Sequence, residues 1–222
     1  KKHYFTVCSS ATTALEVIFR YINVQNKAVL VQSNTFIATG HAIQAAGGII
    51  VPIDLGKEFT LSLEDLIKAH QDCLLKDITI GAICVVNIAG RASKNLFEIA
   101  KYCKEKNIPL VEDNAQGTLS NLKDEVLGTI GDFAAFSFQT TKVVASGEGG
   151  AISCKRKEDQ EKVRNFISFG KDDTNPLLFR NISGNYKLSE IIAAFILMDL
   201  NRCEKRILKR RSIDNLYKKN LI

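Results

Sequence analysis

The sequence predicts an α/β domain with a mostly parallel sheet that is covered by helices on both faces. Short apolar runs, which are typical of buried strands, alternate along the chain with longer segments of helical periodicity. The chain has 222 residues, of which 45% are hydrophobic and 24% are charged, so it is long enough to build one large core. No internal repeat or linker divides the chain, and a single domain over residues 1–222 is therefore expected.

The elements of the first half follow a regular order. A helix is predicted over residues 11–22, because small hydroxyl residues at Ser9-Ser10 open a segment with apolar side chains on one face. Apolar runs predict strands at residues 28–31, 49–53 and 78–86. The helices between and after them are predicted at residues 36–46, 63–75 and 96–106. The second helix closes at a pair of glycines, and the fourth is amphipathic.

The second half of the chain continues the alternation. Strands are predicted at residues 108–112, 132–138 and 151–154, each of them a short apolar run. Helices are predicted at residues 158–169 and 188–217, the last of them unusually long. Ligands of parallel sheets bind beyond the carboxyl ends of the strands, so polar residues at those ends are the first candidates for a site.

The net charge of +6 is concentrated at the end of the chain. Residues 201–222 hold eight basic and two acidic residues, which leaves the rest of the chain neutral. This segment is either a surface for nucleic acid or acidic membrane, or a solvated helix face that packs on a further segment. We favour the second interpretation, because no aromatic side chains are interleaved for base stacking. No run is long enough for a membrane helix. With no aromatic side chains for base stacking either, neither nucleic acid nor membrane is expected as a partner.

The cysteines and histidines indicate neither disulfides nor a metal site. The six cysteines are scattered, without a C-x-x-C pair, which predicts reduced packing residues in a cytoplasmic protein. The three histidines, His3, His41 and His70, do not cluster, and no zinc-ligand spacing is present.

The segment from Leu110 to Gly150 carries the strongest chemical signal. It places Asp113 at the end of one apolar run, Ser137 at the end of another, and Lys142 in a tight turn before glycines. A carboxylate at a strand end can hold a pyridinium nitrogen protonated, and a lysine in such a turn can form a Schiff base. Taken singly, the aspartate is more often a helix cap and the lysine a surface residue. Their combination predicts a site for pyridoxal 5'-phosphate (PLP).

The sequence VEDNAQ, followed by GDFAAFSFQTTKVVASGEGG, resembles the DegT/DnrJ/EryC1/StrS family of sugar aminotransferases. Serine, phenylalanine, lysine and the GEGG turn match the family pattern in order and spacing, and the resemblance covers nearly the whole chain. It implies that residues 1–222 are the PLP-binding large domain of a fold type I PLP-dependent transferase. The N-terminal arm and the small C-terminal domain of that family are expected to be absent.

The resemblance also implies a role for each matching residue. Lys142 would form the Schiff base and move protons during catalysis, and Asp113 would bind the pyridine nitrogen. Phe36 would stack on the cofactor ring, and Gln116 would bind its phenolic oxygen. The remaining cofactor-binding residues would contact the phosphate, and these are Ala11, Thr12, Ser137 and Asn185, the last of them reaching across a homodimer interface to the neighbour's site.

The implied activity is transfer of an amino group from an amino acid, glutamate being expected, to a nucleotide-linked keto sugar. The lysine at position 142 favours transamination over dehydration, because dehydrating relatives carry histidine there. The sequence departs from the family pattern at Asn87, where a histidine is usual, and at Lys187, where an arginine is usual. The short chain leaves open a fragment, the ordered core of a longer protein or a naturally short form. The alternative function is a non-catalytic or incomplete PLP-binding homologue with a regulatory or scaffold role.

Overall fold

The computed structural model describes residues 2–56, 58–172, 174–175 and 177–221. Its strands are β1 (Tyr4–Cys8), β2 (Ala28–Gln32), β3 (Ile49–Ile53), β4 (Ile80–Val86), β5 (Leu110–Asp113), β6 (Asn121–Leu122), β7 (Glu125–Val126), β8 (Phe133–Ser137) and β9 (Gly150–Cys154). Its helices are α1 (Ala11–Tyr21), α2 (Ile37–Ala45), α3 (Leu63–Leu75), α4 (Leu96–Lys106), α5 (Lys157–Ile167), α6 (Glu190–Leu200) and α7 (Cys203–Leu221). A short 3-10 turn covers Ile88–Gly90.

Seven strands form one sheet in the order β1-β9-β8-β5-β4-β2-β3, and β6 and β7 form a separate hairpin. The pairs from β8 through β5, β4 and β2 to β3 are parallel. The two pairs at the other edge, β8 with β9 and β9 with β1, are antiparallel. The prediction of a mostly parallel sheet between helices is confirmed.

Both faces of the central strands are buried, as expected for strands that are apolar throughout. In β4, Cys84 packs on the side of α1, α2 and α5, whereas Ile83 and Val85 pack on the side of α3 and α4. Successive strand residues point to opposite faces of the sheet, so this alternation requires helices on both. A third cluster joins β8 and β9 to α6 and to Cys203 at the start of α7.

The edge strand β1 is a feature that the sequence prediction missed. It pairs with β9 in antiparallel register from Tyr4, opposite Cys154, to Cys8, opposite Gly150. Burial alternates along this strand, but the residues on its exposed face, Phe5 and Val7, are apolar, so the sequence shows no alternation of apolar and polar residues. A strand of this kind is stabilised by its pairing with a distant segment, which local periodicity does not report.

The single long helix predicted over residues 188–217 was wrong, because the chain bends at Asn201 and Arg202 between α6 and α7. The amide of Arg202 donates to the Asp199 carbonyl in a tighter turn than an α-helix makes. The bend brings Arg206 of α7 back to the Asp199 side chain of α6, with Nη2 to Oδ2 at 2.7 Å. A buried Cys203 follows directly after the bend.

The cysteines are packing residues, as predicted. All six are buried and free. Burial raises the pKa of Cys8, Cys103 and Cys154 to about 12, so these thiols stay protonated at neutral pH. Within the part of the chain that the structure describes, no helix is both long and apolar enough to cross a membrane.

Candidate active site

A cavity of about 880 Å³ opens at the carboxyl ends of the parallel strands. Its wall includes residues from the starts of α1 and α2, the ends of β4, β5 and β8, and the loop after β8. The sequence-predicted residues on this wall are Ala11, Thr12, Phe36, Asp113, Gln116, Ser137 and Lys142. The fold therefore brings together side chains that are as far as 131 positions apart in the chain (11 to 142).

Asp113 lies at the floor of the cavity as the last residue of β5, and only 5% of it is exposed. Its Oδ2 accepts a hydrogen bond from Thr39 Oγ1 at 2.6 Å, and its Oδ1 accepts one from the Ala115 amide at 3.1 Å. Burial raises the pKa of Asp113, while the Thr39 hydroxyl, the Ala115 amide and the Lys142 amine oppose that rise. Each carboxylate oxygen has two lone pairs, so the side chain still has capacity for a further donor from the cavity.

The first turn of α2 supplies both Thr39 and Phe36 to this region. Phe36 is the N-cap residue of α2, and its ring is 65% exposed on the cavity wall. Thr39 is fully buried and its amide donates to the Phe36 carbonyl at 3.0 Å. The hydroxyl of Thr39 also lies 2.7 Å from that of Thr35, so one helical turn carries a ring and a row of hydroxyls toward Asp113.

The N-terminus of α1 forms another part of the wall. Ser10 caps this helix by accepting a hydrogen bond from the Thr13 amide at 3.1 Å, while Ala11 and Thr12 line the cavity. A helix start presents backbone N–H groups and a positive dipole end, which together suit a phosphate. Gly150 makes this position possible, because a Cβ atom there would lie 2.3 Å from the Ser10 carbonyl carbon.

Ser137 is the last residue of β8 and is buried. Its Oγ accepts a hydrogen bond from the Gln139 amide at 3.3 Å. The hydroxyl hydrogen of Ser137 therefore stays available to a ligand oxygen, because the amide occupies only a lone pair.

Lys142 is half-buried in the loop between β8 and β9, and its amide donates to the Gln139 carbonyl at 2.9 Å. The loop is fixed on its far side, where the fully buried Val144 enters the cluster beneath β8 and β9. The Ala145 amide donates to Asp199 Oδ2 at 2.7 Å, which ties the loop to α6. Burial raises the pKa of Asp199, but the hydrogen bonds from Ala145 and Arg206 outweigh it and hold the pKa below its ordinary value.

Gln116 lies beside the 3-10 turn after β4. Its Oε1 accepts a hydrogen bond from the Ala89 amide at 2.8 Å. Because the backbone N–H identifies the accepting end of this side chain, the NH₂ group is the end that can donate to a ligand.

Glu112, the neighbour of Asp113 in β5, is a structural residue. Its side chain is fully buried and accepts hydrogen bonds from the amides of Gly128, Ile130 and Gly131 at 2.8 Å each. Asn87, at the position where the family usually has histidine, donates to Glu112 and to Asn114 at 3.1 and 2.9 Å. Asn87 therefore serves to hold the loop beneath the site.

Asn185 is exposed, forms a bridge with Ser168, and lies outside the wall of this cavity. Arg210 of α7 lies on the wall, although its basic segment was expected to form a solvated helix face. Arg206 and Arg210 are four positions apart and therefore lie on the same face of the helix. This spacing of basic residues is the sequence signal that could have pointed to Arg210.

The residues present fit PLP. A buried carboxylate with spare acceptor capacity, an exposed aromatic ring and a half-buried lysine converge on one cavity with a helix start and a serine hydroxyl. The first three suit a cationic aromatic ring that carries an aldehyde, and the last two suit its phosphate. Within the described residues, no cluster of histidine, cysteine or carboxylate side chains could hold a metal ion.

The sheet and this cavity define an α/β fold of the aminotransferase type. The sequence model described as the DegT/DnrJ/EryC1/StrS aminotransferase family matches residues 1–222, and the chain belongs to that family. A crystal structure of a DegT DnrJ EryC1 StrS aminotransferase from Brucella abortus superimposes with a TM-score of 0.92 at 26% identity, over 97% of this chain and 58% of that one.

Two curated relatives extend the comparison. The UDP-4-amino-4,6-dideoxy-N-acetyl-beta-L-altrosamine transaminase of Campylobacter jejuni serotype O:2 is 32% identical over 215 residues, which are 96% of this chain and 56% of the relative. The GDP-perosamine synthase of Escherichia coli O157:H7 is 28% identical over 220 residues, which are 98% of this chain and 58% of the relative. The chain thus spans a little over half the length of the curated relatives it matches.

Proposed function

We propose that this chain is the cofactor-binding large domain of a PLP-dependent aminotransferase that acts on a nucleotide-linked keto sugar. The observation that carries the proposal is the opening of Asp113 and Lys142 onto one cavity, with the Phe36 ring on the same wall. The family model that matches the chain is described as an aminotransferase family, and the two relatives described above are named for nucleotide-sugar chemistry.

The phosphate of the cofactor would bind at the start of α1 and at Ser137. Ala11 and Thr12 belong to the first turn of that helix, where N–H groups and the helix dipole favour an anion. The Ser137 hydroxyl would add one donor. Two elements that are distant in sequence, α1 and β8, would thereby hold the phosphate end without a lysine or arginine.

The ring of the cofactor would stack on Phe36, with its nitrogen edge toward the floor of the cavity. Asp113 would accept a hydrogen bond from the protonated pyridine nitrogen, and the free NH₂ group of Gln116 would donate to the phenolic oxygen. When bound, PLP supplies an electron sink that stabilises negative charge at the substrate carbon. A carboxylate at the ring nitrogen strengthens this effect, because it keeps the ring cationic.

Lys142 would hold the cofactor covalently through Nζ and act as the base once its amine is free. In that role the amine would take a proton from the substrate carbon that bears the amino group and deliver it to the carbon on the other side of the same nitrogen. Lys142 lies in a loop that is held by the buried Val144 and by the hydrogen bond from Ala145 to Asp199. The fixed loop would keep the amine near the ring, and the long side chain would allow it to change position.

The substrates would enter at the open side of the cavity. The amino donor, glutamate in our proposal, and the nucleotide-linked sugar both carry anionic groups. Arg210 is an exposed cation on this wall, and it is the residue we expect to meet such a group. The name of the Campylobacter jejuni relative supports a nucleotide-linked sugar as the class of acceptor.

A homodimer would complete the site. Asn185 is exposed and is held in place by its bridge to Ser168 and by the bond from the Ser9 amide to the Tyr186 carbonyl at 2.9 Å. It lies outside the cavity of its own chain, as a residue serving a neighbour's phosphate would. Exposed apolar residues of α6, including Ile191 and Phe195, provide surface for such an interface.

The test is the visible absorbance of the protein mixed with PLP, before and after addition of L-glutamate, beside Lys142→Ala. A visible band that requires Lys142 and is bleached by glutamate would support cofactor binding and the amino-donor step. Lys123→Ala, which changes an exposed lysine away from the cavity wall, is the matched control and should keep the band. A stable band that glutamate does not bleach would indicate a PLP-binding homologue without transaminase activity. An identical band in Lys142→Ala would refute the assignment of the lysine.

A further inference from the structure

Two threonines and Asp113 form a continuous row of hydrogen bonds beneath the cavity. Thr35 Oγ1 lies 2.7 Å from Thr39 Oγ1, and Thr39 Oγ1 lies 2.6 Å from Asp113 Oδ2. Thr39 is fully buried, Asp113 is nearly so, and Thr35 is half-buried. The row joins the first turn of α2 to the end of β5, across 74 positions of sequence.

The direction of this row depends on the charge of the carboxyl group. A threonine hydroxyl has one hydrogen and can also accept, so when Thr39 donates to ionised Asp113 it must receive its own hydrogen bond from Thr35. When Asp113 is protonated, the row can reverse, with Asp113 donating to Thr39 and Thr39 donating to Thr35. Thr35 then donates to the Phe36 carbonyl, which lies 3.4 Å away. Every group keeps a partner in the ionised and in the protonated state.

We propose that Thr39, supported by Thr35, is a positioning residue that orients the Asp113 carboxylate and keeps it ionised for contact with the ring nitrogen of the cofactor. The hydrogen bond from Thr39 fixes Oδ2, and the Ala115 amide fixes Oδ1. The two donors together determine the plane of the carboxylate. The role toward the cofactor rests on the proposed function, whereas the effect on the carboxyl group itself does not.

The electrostatic surroundings explain why the carboxylate depends on this donor. Burial raises the pKa of Asp113, and the Thr39 hydroxyl is the largest of the contributions that lower it, ahead of the Ala115 amide and Lys142. Lys142 faces Asp113 from the loop after β8. Cys84 faces it from β4 and is neutral at ordinary pH, because burial and the charge of Asp113 raise the pKa of its thiol. Removing the Thr39 hydroxyl therefore leaves a buried carboxylate with less to keep it charged.

The same turn of helix carries the residue expected to stack on the ring. Phe36 and Thr39 are three positions apart, and the Thr39 amide bonds to the Phe36 carbonyl. The hydrogen bond from the Thr39 hydroxyl to Asp113 thus also holds the start of α2 against the sheet. Loss of the Thr39 hydroxyl is therefore expected to affect two contacts to the ring, one from Asp113 to its nitrogen and one from Phe36 to its face.

The test follows the carboxyl group of Asp113 directly in the protein without cofactor. The side-chain carboxyls of aspartate are labelled with carbon-13 and titrated by NMR, and Asp113→Asn identifies the signal. Thr39→Val, which keeps the shape of the side chain but lacks the hydroxyl, should move the Asp113 pKa upward. Thr39→Ser, which retains a hydroxyl, should titrate nearer to the native chain. Thr35→Val should also shift the pKa upward, by less than Thr39→Val. A titration of Thr39→Val that coincides with that of the native chain would overturn the proposal.

A second measurement connects the row to the cofactor. Thr39→Val should weaken PLP binding by about tenfold, since hydrogen bonds to charged groups contribute on this scale, and Thr39→Ser should restore most of the affinity.

Circular dichroism checks folding, and if Thr39→Val does not fold, the half-buried Thr35→Val decides the titration. A native chain that takes up no PLP would refute the proposed function, while the apoprotein titration would still decide the role of Thr39. Equal PLP affinity and equal titration in all variants would refute the role of Thr39 alone.

Discussion

Glu112 and Asp113 are adjacent carboxylates of β5 that point to opposite faces of the sheet and have different surroundings. Glu112 is fully buried and accepts four hydrogen bonds, from three backbone amides and from Asn87. Asp113 faces the cavity and accepts two, from Thr39 and Ala115. Because the acceptor sites of Glu112 are occupied, this side chain anchors the loop before β8. Asp113 can still accept a further hydrogen bond and is therefore the candidate ligand for the cofactor.

The stability of the protein without cofactor should depend on pH through Asp113. Burial raises the pKa of its carboxyl group in the folded chain. The folded protein therefore favours the protonated form of Asp113 more strongly than the unfolded chain does. The contribution of this group to stability is full below the ordinary carboxyl pKa and is lost as pH rises through the raised value. Asp113→Asn should therefore increase the free energy of unfolding at about pH 7 relative to the native chain, and give no such gain below about pH 4. Urea unfolding at both pH values measures this. A variant that is less stable than the native chain at neutral pH would contradict it.

The loop that carries Lys142 should loosen when Asp199 is removed. Asp199→Ala deletes the acceptor for the Ala145 amide and for Arg206, and should lower the free energy of unfolding by about 1–3 kcal/mol. Affinity for PLP should fall with it. The matched control is Asp214→Ala in α7, whose exposed pair with Lys218 should contribute less than about 0.5 kcal/mol. Equal unfolding curves for the two variants would show that Asp199 does not hold the loop.

The close approach of β9 to the start of α1 should not tolerate a side chain at Gly150. A Cβ atom there would lie 2.3 Å from the Ser10 carbonyl carbon and 2.7 Å from the Ala11 nitrogen, so backbone must move. Gly150→Ala should destabilise the fold by about 1–3 kcal/mol or more and weaken PLP binding at the displaced helix start. Gly40→Ala in α2 is the contrasting change, because its Cβ meets only a side-chain atom of Ile50 at 3.3 Å and alanine favours helix. Thermal unfolding compares the two.

Phe36 should matter for binding and not for stability. The ring is 65% exposed, so Phe36→Ala should change the free energy of unfolding by less than about 0.5 kcal/mol. Its loss should weaken PLP binding roughly two- to tenfold, on the scale of an aromatic stacking contact. Phe59→Ala is the control, since Phe59 is 69% exposed and does not line the cavity. Phe59→Ala should bind PLP as the native chain does, and a Phe36→Ala variant with native affinity would exclude stacking.

Much of the architecture could be predicted from the sequence, because its signals are local. Buried parallel strands are apolar throughout, so the runs at β2, β4, β5 and β8 stood out against the helical periods between them. Once the sheet was taken as parallel, Asp113 and Ser137 had to lie at the same edge, and Lys142 followed in the next loop. Their roles in binding PLP stay predictions.

Only the tertiary structure decided the contacts that support these residues. The edge strand β1 owes its place to pairing with β9, and the bend between α6 and α7 places Arg210 on the cavity wall. Thr39 reaches Asp113, and Asp199 reaches the Lys142 loop, across 74 and 54 positions. Such pairs depend on the order of the strands and on which helix covers which face of the sheet. The hydrophobic period of a single segment carries no information about either. The sequence by itself therefore determined which reactive residue types stand at the strand ends, while the packing of distant elements decided how each group is held.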